Sequence, residues 1–197
     1  MKRRSSMVSV LLAFIVVLVV LALIVGGCAY NGYNKAIRLD EAVDSGWAQV
    51  ENVLQRRFEL IPNLVETVKG YAKHEEGVFT DIAQSREKYF QASNRAEKVQ
   101  AAGGFERALS RLLVLQERYP ELKAQANFLD LQSQLEGSEN RIAVERKRYN
   151  DAVRELNVYC RTLLGRVFTG WAGVEAGEYF EASEGAEQAP KVDFSSD

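Results

Sequence analysis

Two hydrophobic regimes divide this chain. From Met7 to Val25 every residue except Ser9 is apolar. From Lys35 onward, apolar residues recur every three or four positions with charged residues between them, the period of helices that bury one face. Between about Lys35 and Glu75 the inward set reads Val43, Trp47, Val50, Leu54, Ile61, Leu64, Val68 and Tyr71. That is a heptad seam with one position, Arg57, given to charge. Pro62 lies inside it and ordinarily breaks or kinks a helix. The seam keeps phase from Leu54 through Ile61 to Val68, so the pattern predicts one long helix kinked near Pro62. Tyr30 to Asn34 reads as a short exit segment before it.

A second helix is expected at about Glu76–Gln91, with Phe79, Ile82, Tyr89 and Phe90 inward. Ser93 and Asn94, both good N-cap residues, mark a break. A third helix follows at about Arg95–Arg118 around Phe105, Leu109, Leu112 and Leu113, with Gly103-Gly104 weakening its first half by roughly 1 kcal/mol per glycine. Tyr119-Pro120 turns the chain. In a fourth helix, about Glu121–Leu164, Phe128, Leu135, Ile142, Tyr149, Leu156 and Leu163 recur every seven residues, with Leu131, Ser138, Glu145, Ala152 and Tyr159 as companions. A seam this long needs partners in its own bundle or on another subunit. Beyond it the chain turns glycine- and acid-rich, and most of residues 165–197 is expected to be disordered, with Trp171 and the Tyr179-Phe180 pair docking. The fold class is therefore all-α. Residues 1–29 form a transmembrane or lipid-anchored segment, residues 30–164 an antiparallel bundle of four long helices, and residues 165–197 the tail.

The apolar stretch sets the location. Met7 to Val25 reaches about 28 Å as a helix, close to the ~30 Å hydrocarbon core. Lys2, Arg3 and Arg4 precede it, whereas Lys35 and Arg38 on the far side are offset by Asp40 and Glu41. The positive-inside rule then keeps the N-terminus in the cytoplasm and exports the rest. A second reading stands beside this one. Val25-Gly26-Gly27-Cys28 resembles the lipobox of bacterial lipoproteins, which implies cleavage before Cys28 and a lipid on it. The basic start fits a signal peptide, but the apolar run exceeds the usual 7–15 residues. Both readings attach the domain to a bacterial cell membrane on its extracytoplasmic, periplasmic side.

Composition excludes more than it selects. A net charge of −2 over 197 residues, with basic and acidic positions interleaved, offers no field for nucleic acid. Cys28 abuts the anchor, so a disulfide with Cys160 is not expected. The single histidine, in His74-Glu75-Glu76, lacks the second histidine of a zinc-protease helix, since position 78 is Val78. With no phosphate loop, nucleophile elbow or paired carboxylates, the expectation is no catalytic residue, no cofactor and no metal.

Interaction residues are sought instead on the long first helix. Arg56-Arg57 beside Glu59, and Glu66 beside Lys69, read as surface ion pairs worth about 0–1 kcal/mol. Arg57 on the seam either lays its stem on the core with its head in water or serves a partner or oligomer interface. Arg56, Arg57, Pro62 and Asn63 form the candidate interaction set. Asn63, Asn140 and Asn150 read as mid-helix amides making structural hydrogen bonds.

The sixteen residues Arg56–Tyr71, RRFELIPNLVETVKGY, resemble the LemA family of bacterial membrane proteins. Further similarity runs through Trp47-Ala48-Gln49-Val50, Leu109-Ser110-Arg111-Leu112-Leu113 and Tyr119-Pro120-Glu121-Leu122-Lys123-Ala124. It continues at Phe128, Leu131-Gln132, Glu139-Asn140-Arg141-Ile142, Tyr149-Asn150, Tyr179-Phe180-Glu181-Ala182 and Pro190-Lys191-Val192-Asp193-Phe194. The resemblance implies a short N-terminal anchor, long antiparallel helices and no assigned catalytic residue. It also implies no defined biochemical role for most members, some relatives taking part in forming organelle membranes. The phenylalanine-proline that often ends the family's last helix is absent, Leu163-Leu164-Gly165-Arg166 standing there. The expected function is a non-enzymatic, membrane-tethered scaffold or interaction module. Its expected partners are the membrane, other copies of itself and unidentified envelope proteins. The alternative is a ligand- or peptide-sensing domain of an envelope signalling pathway.

Overall fold

Helix α1 runs unbroken from Lys2 to Lys69, so the apolar stretch and the first seam are one element. The structure, a computed structural model, describes residues 2–180, with side chains at Leu12 and from Phe14 onward. Five helices follow among these residues: α2 (Glu76–Gln91), α3 (Arg95–Arg118), α4 (Pro120–Lys123), α5 (Ala126–Arg161) and α6 (Leu163–Ala172). The protein is all-α, with no strand among the described residues. The chain divides into two compact units. One takes residues up to Ser45 together with Asp151–Gly177, the other Gly46–Asn150 with Glu178 onward.

In the second unit four helices share a core, and their directions follow from which side chains meet. Lys69 sits over the Phe79 ring while Phe58 meets Tyr89, so α2 runs back along α1. Lys98 pairs with Glu51 and Phe105 meets Phe58, so α3 returns in the direction of α1. Tyr149 packs on Trp47 and Glu139 pairs with Arg57, so α5 is antiparallel to α1. Val50, Leu54, Ile61, Leu64 and Val68 are buried as the heptad seam requires, and Phe58 joins them at 1% exposed. Asn94 caps α3 by accepting from the Glu97 amide, while the Glu97 carboxylate accepts from the Ser93 amide, two orphan donors satisfied at one turn. Glu75 ties the turn after α1 to the end of α3, meeting Arg118 at 3.0 Å and accepting from the Tyr119 hydroxyl at 3.2 Å.

In the first unit, Ala36 and Val43 of α1 and Val153 and Leu156 of α5 are buried, together with Phe168 and Val174. Thr162 starts α6, its hydroxyl accepting from the Gly165 amide, and Gly173 ends it at φ 68°, the left-handed conformation that favours glycine.

Several expectations are corrected. Tyr30 to Asn34 does not separate two elements, because helix continues through it and packing at Gly32 outweighs the weak helix propensity of glycine and asparagine. Pro62 lies inside α1 without ending it, as the spacing of the seam predicts, but the helix stops at Lys69, short of the expected Glu75. Tyr71, Phe90 and Leu163 were expected inward but are 39%, 52% and 87% exposed, and Ala72 and Leu115 are buried near the first and third helix ends instead. The fourth helix is three elements. Bonds from Ala124 N–H to the Glu121 carbonyl and from Gln125 N–H to the Leu122 carbonyl tighten the chain after α4, and the Thr162 cap separates α5 from α6. α6 also gives regular structure to residues 165–172, where disorder was expected. Phe180 docks, at 6% exposed, but Trp171 and Tyr179 do not. Glu181, Ala182 and the Pro190–Phe194 stretch lie outside the described residues, as does the rest of the acidic tail.

Candidate functional site

Every large apolar side chain described from Leu12 to Val25 is exposed. Twelve large aliphatic or aromatic side chains facing solvent have no place on a water-soluble helix. By length and composition this helix is a candidate membrane span near the N-terminus. Cys28 stands exposed three residues beyond, within unbroken helix, and both it and Cys160 are free thiols.

The interaction set divides. Arg56, Pro62 and Asn63 are exposed, while Arg57 is 7% exposed and turned into the second unit. Its guanidinium pairs with Glu139 of α5 and approaches Glu106 of α3 at 3.9 Å, not Glu59. Arg146, one heptad after Glu139, pairs with Glu106 in turn. Two arginines and two carboxylates thus link three helices. Glu106 and Arg146 are mostly buried and Glu139 is half-exposed. Neither arginine's buried Nε finds a hydrogen-bond partner, so the network is only partly satisfied. Glu106, Glu139 and Arg146 were not identified from sequence. The signal available was the seven-residue spacing of Glu139 and Arg146, one position past the companions Ser138 and Glu145.

Asn150 fulfils the structural role expected of it. In the second unit its amide closes a two-way clamp on Phe180, donating to the Phe180 carbonyl at 2.9 Å and accepting from its N–H at 2.8 Å. The Tyr149 hydroxyl donates to the Glu178 carbonyl at 2.7 Å. The Phe180 ring lies 4.3 Å from the Arg146 guanidinium and 6.3 Å from the Trp47 ring. In the first unit Asn157 makes the same clamp on Gly177, both bonds at 2.9 Å. Asn157 was missed, although it stands one heptad after Asn150 on α5.

The Tyr89 hydroxyl is buried without a hydrogen-bond partner, and burial, reinforced by nearby Glu51, raises its pKa well above the ordinary 10.0. The cleft between α2 and α3 is lined by Asp81, Gln84, Lys88, Glu97, Arg107 and Arg111 among others. A ligand-sensing pocket is mostly apolar with a few polar groups, and this cleft is the reverse.

These features define a class: an all-α protein whose first helix presents an uncovered apolar surface and continues without a break into packed helical units. The chain belongs to the LemA family, whose family model matches residues 46–194. It is similar to the magnetosome proteins MamQ 1 and MamQ 2 of Paramagnetospirillum magneticum. Each is 25% identical over 175 residues, covering 76% of this chain and 64% of the relative. Magnetosome protein MamQ of Magnetospirillum gryphiswaldense is 24% identical over 152 residues, covering 64% of this chain and 56% of the relative. The chain thus spans less than two thirds of the length of the relatives it matches.

Proposed function

We propose that this protein is a single-pass membrane tether without enzymatic activity. Its helical units stand on the extracytoplasmic side and act as a scaffold for other copies of the chain or for envelope proteins. The observation that carries the reading is the uncovered apolar surface of α1 from Leu12 to Val25, on a helix that enters the packed units without a break. Lys2, Arg3 and Arg4 ahead of it support an N-terminus held in the cytoplasm. Relatives named for the magnetosome support a role at a membrane. Arg56, Pro62 and Asn63, exposed on α1, remain the surface proposed for partners.

The apolar run from Met7 to Val25, longer than the usual 7–15 residues of a signal peptide, supports retention of the whole segment over cleavage at Cys28. The test is the intact mass of the membrane-extracted protein beside that of Cys28→Ser. A full-length mass for both, with both resisting alkaline carbonate extraction, is expected. A native protein that lacks residues 1–27 and carries diacylglycerol on Cys28, while Cys28→Ser does not, would establish the lipid anchor instead. Cross-linking in intact cells then tests the scaffold, which predicts products containing a second copy or an envelope protein. A chain that yields neither is not a scaffold.

A further inference from the structure

Helix α6 exposes its apolar residues. Leu163 is 87%, Leu164 64%, Trp171 67% and Val167 44% exposed. At about 100° per residue these four share one arc of roughly 100° with no polar side chain within it. The opposite side, with Gly165, Phe168 and Thr169, is buried, and Arg166 is exposed at the flank. Scattered exposed apolar residues are ordinary on a protein surface, but a continuous strip ending in tryptophan is not.

The surroundings of α6 within its own unit indicate what covers that strip. Phe168 lies so close to Gly32 of α1 that a Cβ there would overlap its ring. Tyr159, just before α6, donates its hydroxyl to the Gly32 carbonyl at 2.8 Å, and the Lys35 ammonium stands 5.0 Å from its ring. Gly32 is seven residues past Val25, the last of the exposed aliphatic run, or about 10 Å along the axis. The polar layer outside the hydrocarbon core is roughly 5–8 Å deep on each side, so Gly32 stands just past its outer edge, and α6 beside it, about 10–12 Å across with its side chains, is wide enough to reach into it. Helices lying in it sink their apolar face by about 5–10 Å. Tyr30 and Tyr33, exposed on the same stretch of α1, are the residue type that marks this layer. Lys35, Arg38, Arg161 and Arg166 are exposed cations suited to lipid phosphates.

We propose that α6 is a membrane-interfacial helix whose Leu163–Leu164–Val167–Trp171 face lies in the headgroup layer of the bilayer that α1 crosses, a second and lateral attachment. The proposal rests on α1 spanning that bilayer. The test uses the full chain in phosphatidylcholine–phosphatidylglycerol vesicles made with lipids brominated at shallow or deep acyl positions. Subtracting the emission of Trp171→Phe isolates Trp171. The expected result is blue-shifted Trp171 emission, quenched more by shallow than by deep bromines. In a Leu163→Ser/Leu164→Ser variant that emission shifts red and the quenching is lost, while flotation with the vesicles is unchanged. Trp171 left unquenched at every depth, in protein that floats, overturns the proposal and leaves the span intact. So does a photo-cross-linker at position 171 that captures a second copy instead of lipid. A chain that does not float removes the span and the interfacial helix together.

Discussion

Removing Glu139, the more exposed half of the Arg57 pair, is predicted to destabilise the protein more than removing Arg57. The Arg57 side chain is 9% exposed and that of Glu139 47%. In Arg57→Leu, Glu139 is left at the surface, where water hydrates it, and Glu106 keeps Arg146. The incoming leucine completes the apolar seam and the unpartnered Nε disappears. The loss is one charge-assisted hydrogen bond, about 1.5–3 kcal/mol, offset by apolar burial of similar order, for a net of about 0–1 kcal/mol. In Glu139→Leu the guanidinium stays buried with Glu106 alone, at 3.9 Å and already held by Arg146. Stranding one member of a fully buried pair costs about 3–5 kcal/mol, and partial exposure of this network lowers that to about 2–3. The double variant should return to within about 1 kcal/mol of wild type, since replacing both partners by packed apolar groups is often neutral. Urea unfolding of the full chain in detergent, with Trp171→Phe as the background so that emission reports Trp47, measures all three. Equal costs for the two single changes, or a larger cost for Arg57→Leu, would refute this assignment of burial. An Arg57→Leu protein of native stability that no longer self-associates would instead make Arg57 an interface residue.

Three further outcomes follow from the same contacts. Asn150→Ala removes both bonds to Phe180 and should cost about 1–3 kcal/mol, with faster amide exchange at Phe180; unchanged exchange there would show that the ring contacts alone hold it. Tyr89→Phe removes a buried hydroxyl without a partner, so stability at pH 7 should be unchanged or higher by up to about 1 kcal/mol, and a clear loss would reveal an acceptor. The folded state holds the Tyr89 proton more tightly than the unfolded one, so its contribution is complete below the ordinary pKa of 10.0 and declines as pH rises beyond it; Tyr89→Phe should therefore lose less melting temperature than wild type between about pH 9 and about pH 11, and equal losses would exclude this tyrosine as the cause.

Helices α2 and α3 were legible to the residue, because their ends carry local chemistry: Asn94 as a cap, and Tyr119-Pro120 as a stop. The seam of α1 was legible from its spacing, except at Phe58, which is buried beside Arg57, and just past its end at Lys69, where Ala72 and not Tyr71 is buried. The split between α5 and α6 was hidden by a heptad that reaches Leu163 by coincidence; Thr162 was the available warning. Continuity through Tyr30–Asn34 was not legible, because the contact that supports it joins Gly32 to Phe168, more than a hundred residues away. The Arg57 network escaped for the same reason. A charge on a seam announces that it needs partners, but Glu106 and Glu139 become its neighbours only once three helices pack. Asn150 was readable as a structural amide, whereas its acceptor and donor at Phe180 lay in a stretch whose composition suggested disorder.

The most direct test of the account is topology in living bacteria, with the whole chain kept and a reporter fused after Asp197. Alkaline phosphatase in that position should be active and green fluorescent protein dark, with the fusion retained in the membrane fraction. A fluorescent fusion with inactive phosphatase would place the helical units in the cytoplasm and contradict the central claim.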